Sequence, residues 1–162
     1  MFNVLIVAVM AALVAFYSAR APELDRLISH TQSRNLAGDM AVYRQAVVQY
    51  FSISGSTASS VAPEVLKAAN LLPGWSPLAQ SGDGGVWANH RMADGTIFVY
   101  AAGATPAEMM ADLLELSKNS MQVGRYDDDC ACFKPFLSGP VNIGLPLNII
   151  PNGSPIWIAH SN

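Results

Sequence analysis

The segment YDDDCACFKPF, residues 126–136, concentrates the most reactive side chains in the chain, with Asp127, Asp128 and Asp129 directly preceding Cys130 and Cys132. Three chemistries are open to it. Carboxylates suit a hard cation and thiolates a soft one; these ligands mix the two preferences, and adjacent residues of an extended chain point to opposite faces, so one ion cannot use them all. Cys130 and Cys132 are also a candidate disulfide, closing a very small ring of a kind that is comparatively easily reduced. The third option is a pair of free thiols. The acid triplet itself reads as a solvated loop in which one Asp caps a turn.

Elsewhere the residue types for catalysis are present without the spacing. His30, His90 and His160 lack a second ligand at a helical metal spacing such as H-x-x-x-H. Serines are plentiful, but no G-x-S-x-G elbow presents one as a nucleophile. SGDGG at residues 81–85 lacks the G-x-x-x-x-G-K-[ST] frame of a phosphate cradle and precedes a strand, so it reads as a loop. No catalytic, cofactor-binding or metal-binding residue is assigned, and the expectation is a protein that is not an enzyme and needs no cofactor. The nine basic residues are scattered against twelve acidic ones, for a net charge of -3, which argues against nucleic acid as a partner.

The elements that would position these residues begin with an apolar run. From Phe2 to Ala19 only Asn3 and Ser18 are polar, and at helical rise the run measures about 27 Å against a hydrocarbon core of about 30 Å. No Lys or Arg precedes Arg20, and Pro22 directly follows the one cleavage-like pattern, Ala19-Arg20-Ala21. The run is therefore expected to stay as a membrane anchor over residues 1–20 rather than be removed as a signal peptide. Roughly 140 residues remain, enough for one domain with a modest core.

A helical stem is expected over residues 21–35, where Leu24, Leu27 and Ile28 make only a thin apolar stripe. A single globular domain is expected over residues 36–162. Its first helix carries Leu36, Met40, Tyr43, Ala46, Val47, Tyr50 and Phe51 on one face and ends at the SGSTASS loop, residues 54–60. Pro63 opens a short helix that stops before Pro73-Gly74. Asp94-Gly95 between two β-prone runs signals a hairpin. Thr105, Pro106 and Glu108 spell a capping box ahead of Met109, Leu113 and Leu116. MQVGRY and SPIWIAH read as strands, separated by a proline-rich stretch read mostly as loop.

The predicted fold class is α+β: an N-terminal transmembrane and stem helix, then a small antiparallel sheet with helices packed on one side. Tyr43, Val47 and Phe51 are expected against the sheet that carries Trp87 and Phe98. Trp75, Tyr100 and Trp157 are expected to add to the core.

The order of MAVYRQAVVQYF, LLPGW, VWANHRMADGTIFVYAAG and GSPIWIA behind a short uncharged anchor resembles the PilM family of type IVb (thin) pilus biogenesis proteins, distinct from the actin-like protein of the same name. The resemblance implies a non-catalytic inner-membrane component of the pilus assembly or basal apparatus, single-pass, acting by contacts with other pilus assembly proteins. A pilin-like or pseudopilin-like subunit is the second reading; against it, only Met1-Phe2-Asn3 precede the run, and Leu5 to Tyr17 hold no acid. An envelope hydrolase is a more distant third. Arg20 and Arg26 after the span would by the positive-inside tendency keep the folded body in the cytoplasm. The resemblance implies the periplasm, and that placement is the expectation.

Overall fold

A computed structural model describes residues 30–81, 85–142 and 150–161. The chain divides into two compact units, 1–32 and 33–162, and the described residues beyond Gln32 all belong to the second. The expected anchor at residues 1–20, and the stem up to residue 29, lie outside the described residues. Among the described residues no helix is long and apolar enough to cross a membrane.

Helix α1, described over residues 30–54, buries Ala37, Met40, Tyr43, Ala46, Val47 and Phe51. Steps of three and four residues place these on one face, while Gln45 and Gln49 between them, and Arg34 before them, are exposed. Pro63 opens α2, Pro63–Ala68, where a missing N–H leaves no bond unmade. Asn70 ends that helix in the left-handed region (φ 55), and the Leu71 N–H bonds back to the Leu66 carbonyl at 3.0 Å. Helix α3 spans Pro77–Ser81 and α4 spans Met109–Leu116.

The start of α4 differs from the capping-box expectation. Glu108 occupies the N-cap in a helical conformation, with no side-chain cap bond, and the Met109 N–H instead reaches the Pro106 carbonyl at 3.2 Å. Burial of Met109, Met110 and Leu113 sets where this helix sits, so packing overrides the local capping signal.

Among the described residues six strands form one antiparallel sheet: β1 Trp87–Arg91, β2 Thr96–Ala101, β3 Val123–Asp127, β4 Cys132–Pro135, β5 Val141–Asn142 and β6 Pro155–His160. Their order is β1-β2-β6-β3-β4-β5, so the last strand in sequence pairs with β2 on one side and β3 on the other. The β1–β2 hairpin turns at Asp94-Gly95, where Gly95 takes φ 87 and the Asp94 carboxylate accepts the Thr96 N–H at 2.9 Å. That bond holds the Asp94 pKa below the usual carboxylate range. Strand β4 falls within the stretch read as loop. Its proline sits at the strand end, Pro135 opposite Gly124, where a strand tolerates it. Gly124 is required there, because a Cβ would run into the Lys134 backbone and the Phe133 ring.

The fold is thus α+β, with the two faces of the sheet serving different cores. The helices cover Trp87, Ile97, Val99, Ala101, Val123, Trp157 and Ala159. The opposite face gathers Phe98, Tyr100, Tyr126, Phe133 and Ile156 with Ile150. Tyr43, Val47 and Phe51 do share a core with Trp87, but Phe98 lies on the other side of the sheet. Alternation is the reason: with Ile97 and Val99 turned to the helices, Phe98 between them must turn away. Trp75 is not a core residue either, being 71% exposed beside the buried Ser76.

Buried polar side chains tie the layers together. Asn89 on β1 donates to the Tyr43 hydroxyl on α1 (2.7 Å) and to the Val61 carbonyl (2.7 Å), and accepts the Val61 N–H (3.0 Å). The Ser33 hydroxyl donates to Asp112 at 2.6 Å, joining α1 to α4. Arg44 donates to the Ile158 carbonyl at 3.0 Å and stacks over the Trp157 ring. Replacing Asn89 by Leu should orphan both Val61 backbone groups and the Tyr43 hydroxyl, costing about 2 to 4 kcal/mol in urea unfolding; a near-neutral result would mean that this network does not hold the layers.

Burial also pushes the Tyr43 phenol up to about 12 from its ordinary value of 10.0. The folded state therefore holds this proton more tightly than the unfolded chain does. The corresponding stability is intact below pH 10 and is lost as pH rises toward 12, a total of about 2 to 3 kcal/mol. Unfolding midpoints followed across that range should fall, and substituting Tyr43 by Phe should flatten the dependence.

Candidate interaction surface

The helix-facing side of the sheet extends beyond the helices, and alternation decides which residues occupy the extension. Val123 and Trp157 are register partners, both buried in the helix-side core. Two residues along β3, Arg125 shares their face, flanked by Lys134 on β4 and Pro155 on β6. Two residues further, Asp127 stands opposite Cys132. Phe136, just past β4, lies across from Val123, its N–H 3.4 Å from the Val123 carbonyl.

Arg125, Lys134 and Phe136 are all exposed, so this part of the face is open to solvent. They border a shallow cleft of about 490 Å³ that is also lined by Tyr126, Asp127, Pro135, Asn152 and Gly153. The Lys134 ammonium is ion-paired with the Asp127 carboxylate. That contact, helped by the Asp129 N–H on the same carboxylate at 2.9 Å, lowers the Asp127 pKa. Among the described residues, none forms a hydrogen bond or ion pair with the Arg125 guanidinium. An unpaired guanidinium beside a half-exposed phenyl ring suits a carboxylate that sits next to an apolar group. Leu137, next to Phe136, is also exposed, whereas the exposed Val141, register partner of Phe133, lies on the opposite face of the sheet.

Cys130 and Cys132 are joined by a disulfide at the tip of the β3–β4 hairpin. Of the acid triplet, Asp127 caps the turn through the Asp129 N–H, and Asp128 and Asp129 are exposed. His90 and His160 lie on β1 and β6 with β2 between them. His30 is on α1. Most of the SGDGG loop, residues 82–84, lies outside the described residues. Among the described residues no three His, Cys, Asp or Glu side chains are placed to hold a metal ion. The Ser33–Asp112 pair is closed off from solvent, at 0% and 7% exposure, and gives no substrate access.

Arg125, Lys134 and Phe136 belong to no functional motif in the sequence. The period-two pattern of VGRYD and CFKP, folded about the DDDCA turn, contains their shared face, but only once both strands and their register are recognised.

The family model PilM matches residues 8–158. A solved structure of the protein PilM from Escherichia coli B7A is similar in fold, with a TM-score of 0.50 and 21% sequence identity over 80% of this chain and 92% of that one. No curated protein matches the chain. With a match that runs from within the apolar N-terminal segment to the last strand of the sheet, this chain belongs to the PilM family.

Proposed function

We propose that this protein is a non-catalytic inner-membrane component of the type IV pilus assembly or basal apparatus. In this reading residues 1–20 anchor it, the folded body stands in the periplasm, and it acts by contacts with other pilus assembly proteins. The family match over residues 8–158 carries the reading.

Two physical features support it. Among the described residues every buried side-chain nitrogen or oxygen has a hydrogen-bond partner, so the interior polar groups serve to join layers. The unspent chemistry lies outside, in the Arg125 guanidinium and the exposed Phe136 and Leu137 side chains just past β4. Such a surface favours a partner segment with a carboxylate next to an apolar residue. The apolar run from Phe2 to Ala19 is long enough to span a bilayer as a helix.

The test is complementation of a strain lacking this protein. The full chain should restore pili, while residues 21–162 alone should not. The same residues behind an unrelated transmembrane helix should restore them if the natural run only tethers. Protease added to spheroplasts should degrade the folded body; its protection would move that body to the cytoplasm. An Arg125→Glu, Phe136→Ala chain should lose pilus assembly while its unfolding midpoint barely moves, since exposed positions contribute within about 0.5 kcal/mol. Normal piliation by that variant would remove the proposed surface and leave the family assignment standing.

A further inference from the structure

The disulfide adds little to the hairpin that carries it. The Asp127–Cys132 register pair already closes the turn. Within it the Ala131 N–H reaches the Asp128 carbonyl (3.2 Å), the Asp129 N–H reaches Asp127 (2.9 Å) and the Asp128 N–H reaches the Asn152 side chain (3.2 Å). The Lys134–Asp127 ion pair spans the same two strands. A cross-link between residues two apart encloses only Ala131. The entropy that a cross-link removes from the unfolded chain grows with the loop it closes, so this one removes little. The turn can keep its shape with the sulfurs apart.

The two sulfurs are also inequivalent. Cys130 is exposed at the hairpin tip, and Cys132 is 3% exposed. We propose that the Cys130–Cys132 bond is a thiol–disulfide exchange site, attacked at Cys130 and selective for cationic or neutral thiols over anionic ones. An incoming thiolate forms a bond to the Cys130 sulfur, and the electron pair of the old bond leaves with Cys132 as a thiolate, which then takes a proton from water. A second thiol attacks the mixed disulfide and releases Cys130. The balance is two external thiols oxidised to a disulfide and one protein disulfide reduced to a dithiol, a stoichiometric exchange. Selectivity arises from Asp128 and Asp129, exposed residues directly before Cys130 in the same turn, whose charge repels an anion. This inference is independent of the pilus reading.

The test treats the oxidised full chain, without denaturant, with cysteamine or glutathione at equal thiolate concentration, and counts freed thiols by alkylation and mass. Cysteamine should open the bond faster, by on the order of fivefold or more at low ionic strength, and the gap should shrink as salt rises. Asp128→Asn with Asp129→Asn should abolish the gap. Proteolytic mapping of the quenched mixed disulfide should place the small thiol on Cys130, and the reduced chain should keep its unfolding midpoint. A bond that stays closed until denaturant is added, equal rates for the two thiols at every salt, a mixed disulfide on Cys132, or loss of the fold on reduction would each overturn the proposal.

Discussion

The pairing of β6 between β2 and β3 is the constraint on which the rest of the domain depends. Residues 155–160 are the last strand of the chain, yet they occupy the middle of the sheet. Five register pairs join β6 to β2 and three join it to β3. Without it, the β1–β2 hairpin and the β3–β4–β5 ribbon share no ladder. The strand is also where the two cores meet, since Trp157 and Ala159 face the helices while Ile156 joins the aromatic cluster behind the sheet. A side chain of this size contributes about 1.5 to 3 kcal/mol when fully buried, so one short segment supports both faces at once. Its nearly continuous apolar character follows from being covered on both sides.

The remaining architecture builds outward from that strand. Arg44 reaches from α1 to the Ile158 carbonyl and lies over Trp157, fixing the helix above the strand by a hydrogen bond and a cation–π contact together. Asn89 secures the opposite end of the layer by satisfying Val61 and Tyr43 simultaneously. The Arg91 N–H donates to the Ser59 carbonyl, so the loop after α1 covers part of the outer edge of β1. At the other end of the described sheet, β5 covers Val141–Asn142, and its Val141 is exposed. The molecule is therefore asymmetric: its clamped side is closed by polar bonds, and its β3–β5 side presents Arg125, Phe136 and Leu137 to solvent. Among the described residues the buried polar side chains are all engaged, so the open polar and apolar groups lie on this side.

Much of this was legible in the chain itself, and for physical reasons. Steps of three and four among Met40, Tyr43, Val47 and Phe51 can bury together only on a helix, and Asp94-Gly95 can sit between two β-prone runs only as a turn. These are local signals, written in neighbouring residues. The α+β class and the family resemblance rest on such signals.

What the chain alone left open was decided by partners distant in sequence. Phe98 faces away from α1 because its neighbours Ile97 and Val99 were taken by the helical layer, a choice that the hairpin pattern leaves equally open in either direction. Trp75 is exposed although its residue type favours burial. The start of α4 follows the burial of Met109 and Met110 rather than the capping letters before it. The candidate surface had no local signal at all, because Arg125, Lys134 and Phe136 become neighbours only when β3 and β4 pair in one particular register, and a shift of one residue would send them to the other face. Periodicity along a chain specifies which side of an element is apolar; which side of the sheet receives the helices is specified only when the last strand closes it.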